Sequence, residues 1–462
     1  MKRFVIAIAV FCVTDVTGAQ QASVPDDATI KTILANRIDV EQRNVGIVVG
    51  VVEPAGIRIV PHGTVSVADT RAVDGDTVFE IGSITKVFTS LLLSDMVERG
   101  EVRLDDPVAK YLPASVRMPE RDGRVITLQD LSTHNSGLPR LPSNLKPAKI
   151  DNPYADYTVT QLYEFLSGYT LPRAIGAQYE YSNLGAGLLG HVLALRAGAD
   201  YEVLLRARIL APLKMTDTSI ALSETQRARL AVGHNQRREP VANWDGAALA
   251  GAGGLRSTTR DMLRLLAAFI GSEAGGLGSA IARMRSVERP GPVPNMTTGL
   301  AWQIVKGPDF ELMTHSGTTG GYHSFVGILP GRKAGVVVLS NMQSGATGID
   351  DIGLHLLDTR VPLTTPPVQR TRIMLPAEAL RAFAGRYELR PGFIATVTHE
   401  GDRLFVQPSN QPRHEIFAEG PRAFFATIVD AQFIFEVDAA GRATAMTLIQ
   451  GAAKVTGKRL PD

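Results

Sequence analysis

Apolar residues recur along this chain in three rhythms, and each predicts a different kind of element. Residues 45–53, VGIVVGVVE, are almost continuously apolar, and 57–67 carry the shorter runs IRIV and TVSV. Both predict strands, joined at Pro54–Gly56. From Ser83 the rhythm becomes helical, with Ile84, Val87, Phe88, Leu91, Leu92 and Val97 on one stripe and Gly100 as the stop. Residues 125–290 read as mainly helical with many breaks. Within them TTRDMLRLLAAF predicts a capping box, Thr258 as N-cap with Asp261 three residues later. Residues 323–341 predict a hairpin turning at Pro330–Lys333, and 347–358 a short helix. Strands near the start and near residue 340, with helices between, predict one sheet closed by both ends of a domain.

The third rhythm follows a break. Residues 361–376, VPLTTPPVQRTRIMLP, hold four prolines and no period, as a linker does. Short apolar runs then recur between turns: FIATVTHEGDRLFVQP, AFFATI, QFIFEV and TAMTLIQ, with Gly401 and Gly441 at bends. They predict a small antiparallel barrel or sandwich of about 85 residues. The expected organisation is a leader at 1–22, a main domain at 23–360, a linker at 361–376 and a small all-β barrel at 377–462.

Composition narrows the picture. The chain has 462 residues, 44% hydrophobic and 20% charged, with a formal net charge of +2. That suits a globular protein and gives no reason to expect a nucleic-acid partner. Lys2 and Arg3 precede an apolar run from Phe4 to Val13, and small residues follow at Thr17, Gly18 and Ala19. This is the pattern of a secretory signal peptide cleaved near Ala19 or Ala22, and it is too short for a comfortable membrane span. It predicts a periplasmic or extracellular protein with no stable membrane span. The single cysteine, Cys12, lies inside that leader. A mature chain without it has no thiol for catalysis, zinc binding or a disulfide. No metal or cofactor is expected, and the pattern does not speak to oligomeric state.

The candidate chemistry is a serine and a lysine three residues apart, Ser83 and Lys86. Such a pair means little alone, and a second, Ser143 and Lys146, falls between Pro142 and Pro147 in a predicted loop. Ser83 differs because it opens a strongly periodic helix. Three helical residues turn about 300° and rise about 4.5 Å, so the amine reaches the hydroxyl. The positive end of the helix and burial both favour the neutral amine, which can accept a proton.

The segment FEIGSITK, residues 79–86, closely resembles the nucleophile segment of class C serine β-lactamases and their relatives: penicillin-binding DD-peptidases, D-aminopeptidases and serine esterases. A serine–lysine motif of this kind is well known in β-lactamases and penicillin-binding proteins. The resemblance continues through GEVRLDDPVAKYLP (100–113), ITLQDLSTHNSGLP (126–139), YEYSNLGAGLLG (179–190), GAGGLRSTTRDM (251–262) and HSGTTGG (315–321), covering roughly residues 30–360 in the family's order. It implies an α/β (α+β) fold, an antiparallel sheet flanked by helices with a helical subdomain, followed by the lipocalin-like barrel.

For the site, the resemblance implies Ser83, Lys86 and Tyr181 as catalytic residues, with Asn183, His315, Gly317 and Thr318 binding substrate. Tyr181 belongs to the proton relay, and either it or Lys86 is the base. Asn183 bonds to the substrate amide and to Lys86. The backbone N–H groups of Ser83 and Thr318 form the oxyanion site. His315 stands where class C β-lactamases carry lysine. A histidine, only partly charged near neutrality, holds a substrate carboxylate less firmly. His134 and Asn135 are expected to be structural, closing a helix before Gly137. The implied function is an exported serine hydrolase acting through an acyl-enzyme on a small-molecule or peptide substrate, a β-lactam or a D-amino-acid peptide. The alternatives are a carboxylesterase of the same fold and a non-hydrolytic penicillin-binding sensor. GAGLLG (185–190) matches a dinucleotide fingerprint in form only, because it lacks the preceding strand and the downstream acid.

Overall fold

The apolar run at 46–53 becomes a central strand because both of its faces are covered. In a strand, alternate side chains point to opposite faces. Val48 and Val52 enter one hydrophobic core, while Ile47, Val49 and Val51 enter a second. The computed structural model describes residues 23–271, 274–308, 310–343, 348–364, 370–390, 393–409, 413–426, 431–450 and 453–461. The leader and Cys12 lie outside the described residues.

The chain divides into two compact units, Met1–Thr364 and Thr365–Asp462. In the first, the main sheet comprises β1 Gly46–Glu53, β2 Gly56–Gly63, β3 Arg289–Pro290, β4 Met296–Thr298, β5 Gln303–Lys306, β6 Glu311–Thr318, β7 His323–Leu329 and β8 Ala334–Ser340. Their order is β2-β1-β8-β7-β6-β5-β4-β3, so strands from the two ends of the unit meet where β1 pairs antiparallel with β8, as the pattern predicts. The edge strands β2 and β3 each carry a proline, Pro61 and Pro290. Thr64 N–H donates to Val45 O, and the pleat alternates from there. It turns the Pro61 nitrogen away from β1, toward the open edge.

The helices that frame the sheet and the cleft are α1 Asp27–Ala35, α2 Thr85–Glu98, α3 Asn183–Ala197, α4 Thr259–Phe269 and α5 Asp350–Leu357. α1 and α5 share one core with the sheet; α2, α3 and α4 share the other. Helix α2 is buried on every side from Thr85 to Met96, wider than the single stripe its apolar residues suggest. Its polar residues make this possible because each finds a partner. Thr89 donates to Gly251 O, Ser94 donates to Ala280 O, and the hydroxyls of Ser90 and Ser132 pair at 2.7 Å.

Some expectations change in detail. The helix does not begin at Ser83; a 3₁₀ turn, Gly82–Ile84, precedes α2. The second strand ends at Gly63, not near residue 67; beyond it Thr64 bridges to Ala72 and Val65 N–H donates to Arg71 O. The box at Thr258 is only half formed. Its hydroxyl accepts from Asp261 N–H, but the Asp261 carboxylate accepts instead from Thr218 and from Asp217 N–H. The hairpin turns at Pro330–Arg332 with Lys333 in the left-handed region, and the short helix runs Asp350–Leu357.

The second unit resolves the choice between barrel and sandwich. Eight antiparallel strands between Gly385 and Arg459 close on themselves, the first pairing with the last through Tyr387 and Arg459. Phe383, Tyr387, Phe424 and Phe435 pack against one another inside, with ring centroids 4.9–5.6 Å apart.

Candidate functional site

The site begins with a backbone manoeuvre. Gly82 adopts φ +49°, which L side chains rarely accept, and opens the 3₁₀ turn that holds Ser83 at its middle and feeds α2. Strand β6 lies against this turn backbone to backbone. A methyl group at Gly317 would sit 2.0 Å from Ile81 O, and one at Gly82 would sit 2.8 Å from Thr318 N. Ser324 Oγ, on β7, donates to Ile81 O at 2.8 Å and fixes the contact. The ladder between β6 and β7 alternates from Thr319 N–H, which donates to Tyr322 O. It therefore turns the Thr318 N–H away from β7 and toward the Ser83 turn.

Lys86 lies one turn further along and is 1% exposed. Its Nζ is 3.0 Å from Ser83 Oγ, 3.0 Å from Asn183 Oδ1 and 2.6 Å from Ala252 O. Burial pushes the amine well below the usual lysine range, and Arg140 pushes in the same direction. Among the described residues no carboxylate lies within ion-pair distance of Nζ. The three contacts satisfy either form of the amine: an ammonium donates to all three oxygens, and a neutral amine donates to the two carbonyl oxygens and accepts the Ser83 O–H.

Asn183 is the first residue of α3, and Ser182 caps that helix by accepting from Gly185 N–H. GAGLLG lies inside α3, where its glycines serve close packing. A methyl group at Gly187 would come 2.7 Å from Leu249, and one at Gly190 would come 3.0 Å from Gly251. That approach brings the short helix Ala247–Ala252, and with it Ala252 O, up to Lys86. Asn183 Nδ2 donates to Tyr154 OH at 3.2 Å, so one of its hydrogens is already engaged.

Tyr181 closes the group, with Lys86 Nζ 4.8 Å from its ring centroid. Burial raises the phenol to about 12, and the nearby Ser83 hydroxyl works in the opposite direction. His315 is buried on β6, its ring 6.4 Å from that of Tyr181, with Nδ1 2.8 Å from Ser316 O. Burial, reinforced by Lys86, pushes its imidazole down to about 3. Burial thus favours the neutral imidazole over the partial charge that the sequence suggests. Gly317 and Thr318 follow it on the strand, Gly317 buried and Thr318 exposed.

The structure thus brings Ser83, Lys86, Tyr181, Asn183, His315, Gly317 and Thr318 into one cleft. Ser143 and Lys146 lie apart in a loop. The sequence does not single out Tyr154, Arg140 or the carbonyl of Ala252. A carbonyl leaves no sequence signal, and Arg140 directly follows the segment 126–139. His134 does more than end a helix. At φ +59° it turns Nδ1 to accept Ser182 N–H at 3.1 Å, and its carbonyl accepts Glu180 N–H. Its ring lies 4.5 Å from that of Tyr181. Burial holds His134 well below the ordinary imidazole range, leaving Nδ1 free to accept.

The family profile described as Beta-lactamase matches residues 27–358, and one described as a domain of unknown function, DUF3471, matches residues 369–458. The D-alanyl-D-alanine-carboxypeptidase/endopeptidase AmpH of Escherichia coli (strain K12) is 29% identical over 390 residues, covering 79% of this chain and all of that protein. A beta-lactamase of Pseudomonas fluorescens is 26% identical over 348 residues, covering 68% of this chain and 92% of the relative. The crystal structure of a class C beta lactamase from Rhodobacter sphaeroides superposes with a TM-score of 0.62 at 26% identity, over 72% of this chain and 99% of that one.

Proposed function

This chain belongs to the β-lactamase family and is a serine hydrolase, and on that premise we propose that it acts through an acyl-enzyme at Ser83 on β-lactams or D-amino-acid peptides. One observation carries the reading: a buried amine, with no counter-carboxylate among the described residues, 3.0 Å from the Ser83 hydroxyl. Burial and Arg140 press this amine toward its neutral, proton-accepting form, whereas burial raises the Tyr181 phenol to about 12. This supports Lys86 as the base.

As Ser83 Oγ bonds to the substrate carbonyl carbon, its proton passes to Lys86 Nζ. The carbonyl electrons move onto oxygen, held by the N–H groups of Ser83 and Thr318. When the carbonyl re-forms, the bond to the leaving nitrogen or oxygen breaks, and that atom takes a proton from the relay of Lys86 and Tyr181. Tyr181 can give up its proton there and regain it from Lys86. Water then attacks the ester carbonyl and releases Ser83 by the reverse transfers.

A carboxylesterase of the same fold is the second reading, favoured by the neutral His315, which offers no charge to a substrate carboxylate from the strand. The protein works outside the cytoplasm in this proposal, on the strength of the leader pattern at 1–22. Covalent labelling by a fluorescent penicillin or a fluorophosphonate is expected for the native protein and lost in Ser83→Ala. Labelling that persists in that variant rejects the nucleophile. The intact mass of the exported, labelled protein reports whether the leader has been removed; a full-length mass rejects export by cleavage. Nitrocefin, a D-alanyl-D-alanine peptide, a D-aminoacyl amide and a short-chain nitrophenyl ester then separate the substrate classes.

A further inference from the structure

Around the reactive serine, three groups that could carry positive charge are held toward their neutral forms: Lys86, His134 and His315. Arginine does not neutralise in this way, since the guanidinium stays protonated under ordinary conditions. Arg140 therefore supplies a lasting cation at the cleft.

Its position is fixed from two sides. Its carbonyl accepts the N–H groups of Asn183 and Leu184 at 3.0 and 3.2 Å, tying the backbone to the start of α3. Its guanidinium carbon stands 5.1 Å from the Tyr181 ring centroid. That ring is in turn 4.8 Å from Lys86 Nζ and 6.4 Å from the His315 ring. Arg140 is nonetheless exposed, and among the described residues no carboxylate lies within ion-pair distance of it. The neighbouring Arg173 is different, being paired with Glu180.

We propose that Arg140, exposed over the Tyr181 ring and without an ion-pair partner among the described residues, is the specificity-determining residue that binds a carboxylate on the substrate. A guanidinium offers five donors in a planar fork matched to a carboxylate, and stacking on a phenol ring restricts the fork before substrate arrives. The preferred substrate is therefore an acyl compound bearing a carboxylate near the scissile bond. Its anion lies beside Tyr181 rather than along β6.

The proposal rests on the hydrolase reading, and the test separates the two. An aryl ester with a carboxylate on its leaving group is compared with the same ester lacking it. Arg140→Ala is expected to lower kcat/KM for the carboxylated ester about 10–100-fold, the worth of a charge-assisted hydrogen bond, mainly through KM. The neutral ester stays within about twofold. Arg140→Lys recovers part of the loss, since it restores the charge without the fork. Equal losses on both esters would overturn the proposal and make Arg140 a support for Tyr181. So would a native enzyme that does not distinguish the esters. Fluorophosphonate labelling of Ser83 reads the hydrolase assignment separately. Calorimetric binding of the carboxylated ester to Ser83→Ala, with and without Arg140→Ala, reads the anion site without turnover. Unchanged affinity there also rejects it.

Discussion

The two sides of the cleft are built by different means. On the serine side, backbone meets backbone: Gly82 and Gly317 let the Ile81–Ser83 turn lie directly on β6, and no side chain separates them. On the tyrosine side, position comes from side chains. His134 takes the N–H of Ser182, Tyr154 accepts from Asn183, and Arg140 lies over Tyr181. A backbone contact admits no added atom, because the whole strand must move to accommodate one. A side-chain contact can be replaced by another group that offers the same lone pair. The proposed nucleophile and oxyanion donors thus sit on the unyielding side, and Arg140, the proposed carboxylate site, sits on the replaceable side.

Lys86, which bridges the two sides, gives the most severe way to break this comparison. Lys86→Ala is expected to slow acylation by ~10²-fold or more, the usual worth of a positioned base, measured by pre-steady-state labelling. A near-normal rate would reassign Lys86 to a structural role. The pH profile of the native enzyme sharpens the point. The folded amine is depressed, so kcat/KM falls as pH drops through that depressed value, because the amine then takes up a proton. His315, held to about 3, adds no inflection near the ordinary imidazole range. A limb near pH 10.5 would reject the depressed lysine.

Gly317→Ala comes next. The added methyl meets Ile81 O and Ser324 Oγ, so the strand must retreat. We expect about 1–3 kcal/mol lost in denaturant melts and about 10² lost in kcat/KM, as misplacement by an ångström can cause. Full activity would mean that the serine side also yields.

The mildest change falls on the tyrosine side. His134→Ala leaves the buried Ser182 N–H without an acceptor and should cost about 1–3 kcal/mol, with kcat/KM falling about tenfold. His134→Asn should restore most of both, since asparagine tolerates positive φ and carries an acceptor at the place of Nδ1. A failed rescue would show that the imidazole ring against Tyr181 matters more than its lone pair.

Much of this is legible in the sequence itself. The apolar run at 46–53 and the hairpin at 323–341 announce buried strands because a two-sided strand has little choice of residue. Ser83 and Lys86 stand out because they open one strongly periodic helical stretch, a 3₁₀ turn running into α2. What escaped reading depends on distant parts of the chain. Lys86 meets Ala252 O only because Gly187 and Gly190 admit the helix at Ala247–Ala252, and GAGLLG gives no sign of its neighbour. The Asp261 carboxylate looks like half of a capping box until Thr218 arrives from another segment to claim it. Arg140 carries no pattern at all. Its significance lies in the absence of a nearby acid among the described residues, a property of space and not of order.

The prolines at the two margins of the main sheet have a consequence beyond the cleft. A sheet margin normally offers hydrogen-bond donors on which a loose peptide, or a second molecule, can lay down another strand. With Pro61 turned outward on β2 and Pro290 on the short strand at the far side, each margin lacks a donor where such growth would start. The barrel, whose first and last strands pair with each other, has no margin to offer. Added pairing is thus hindered at both margins of the main sheet and has no edge to use in the barrel.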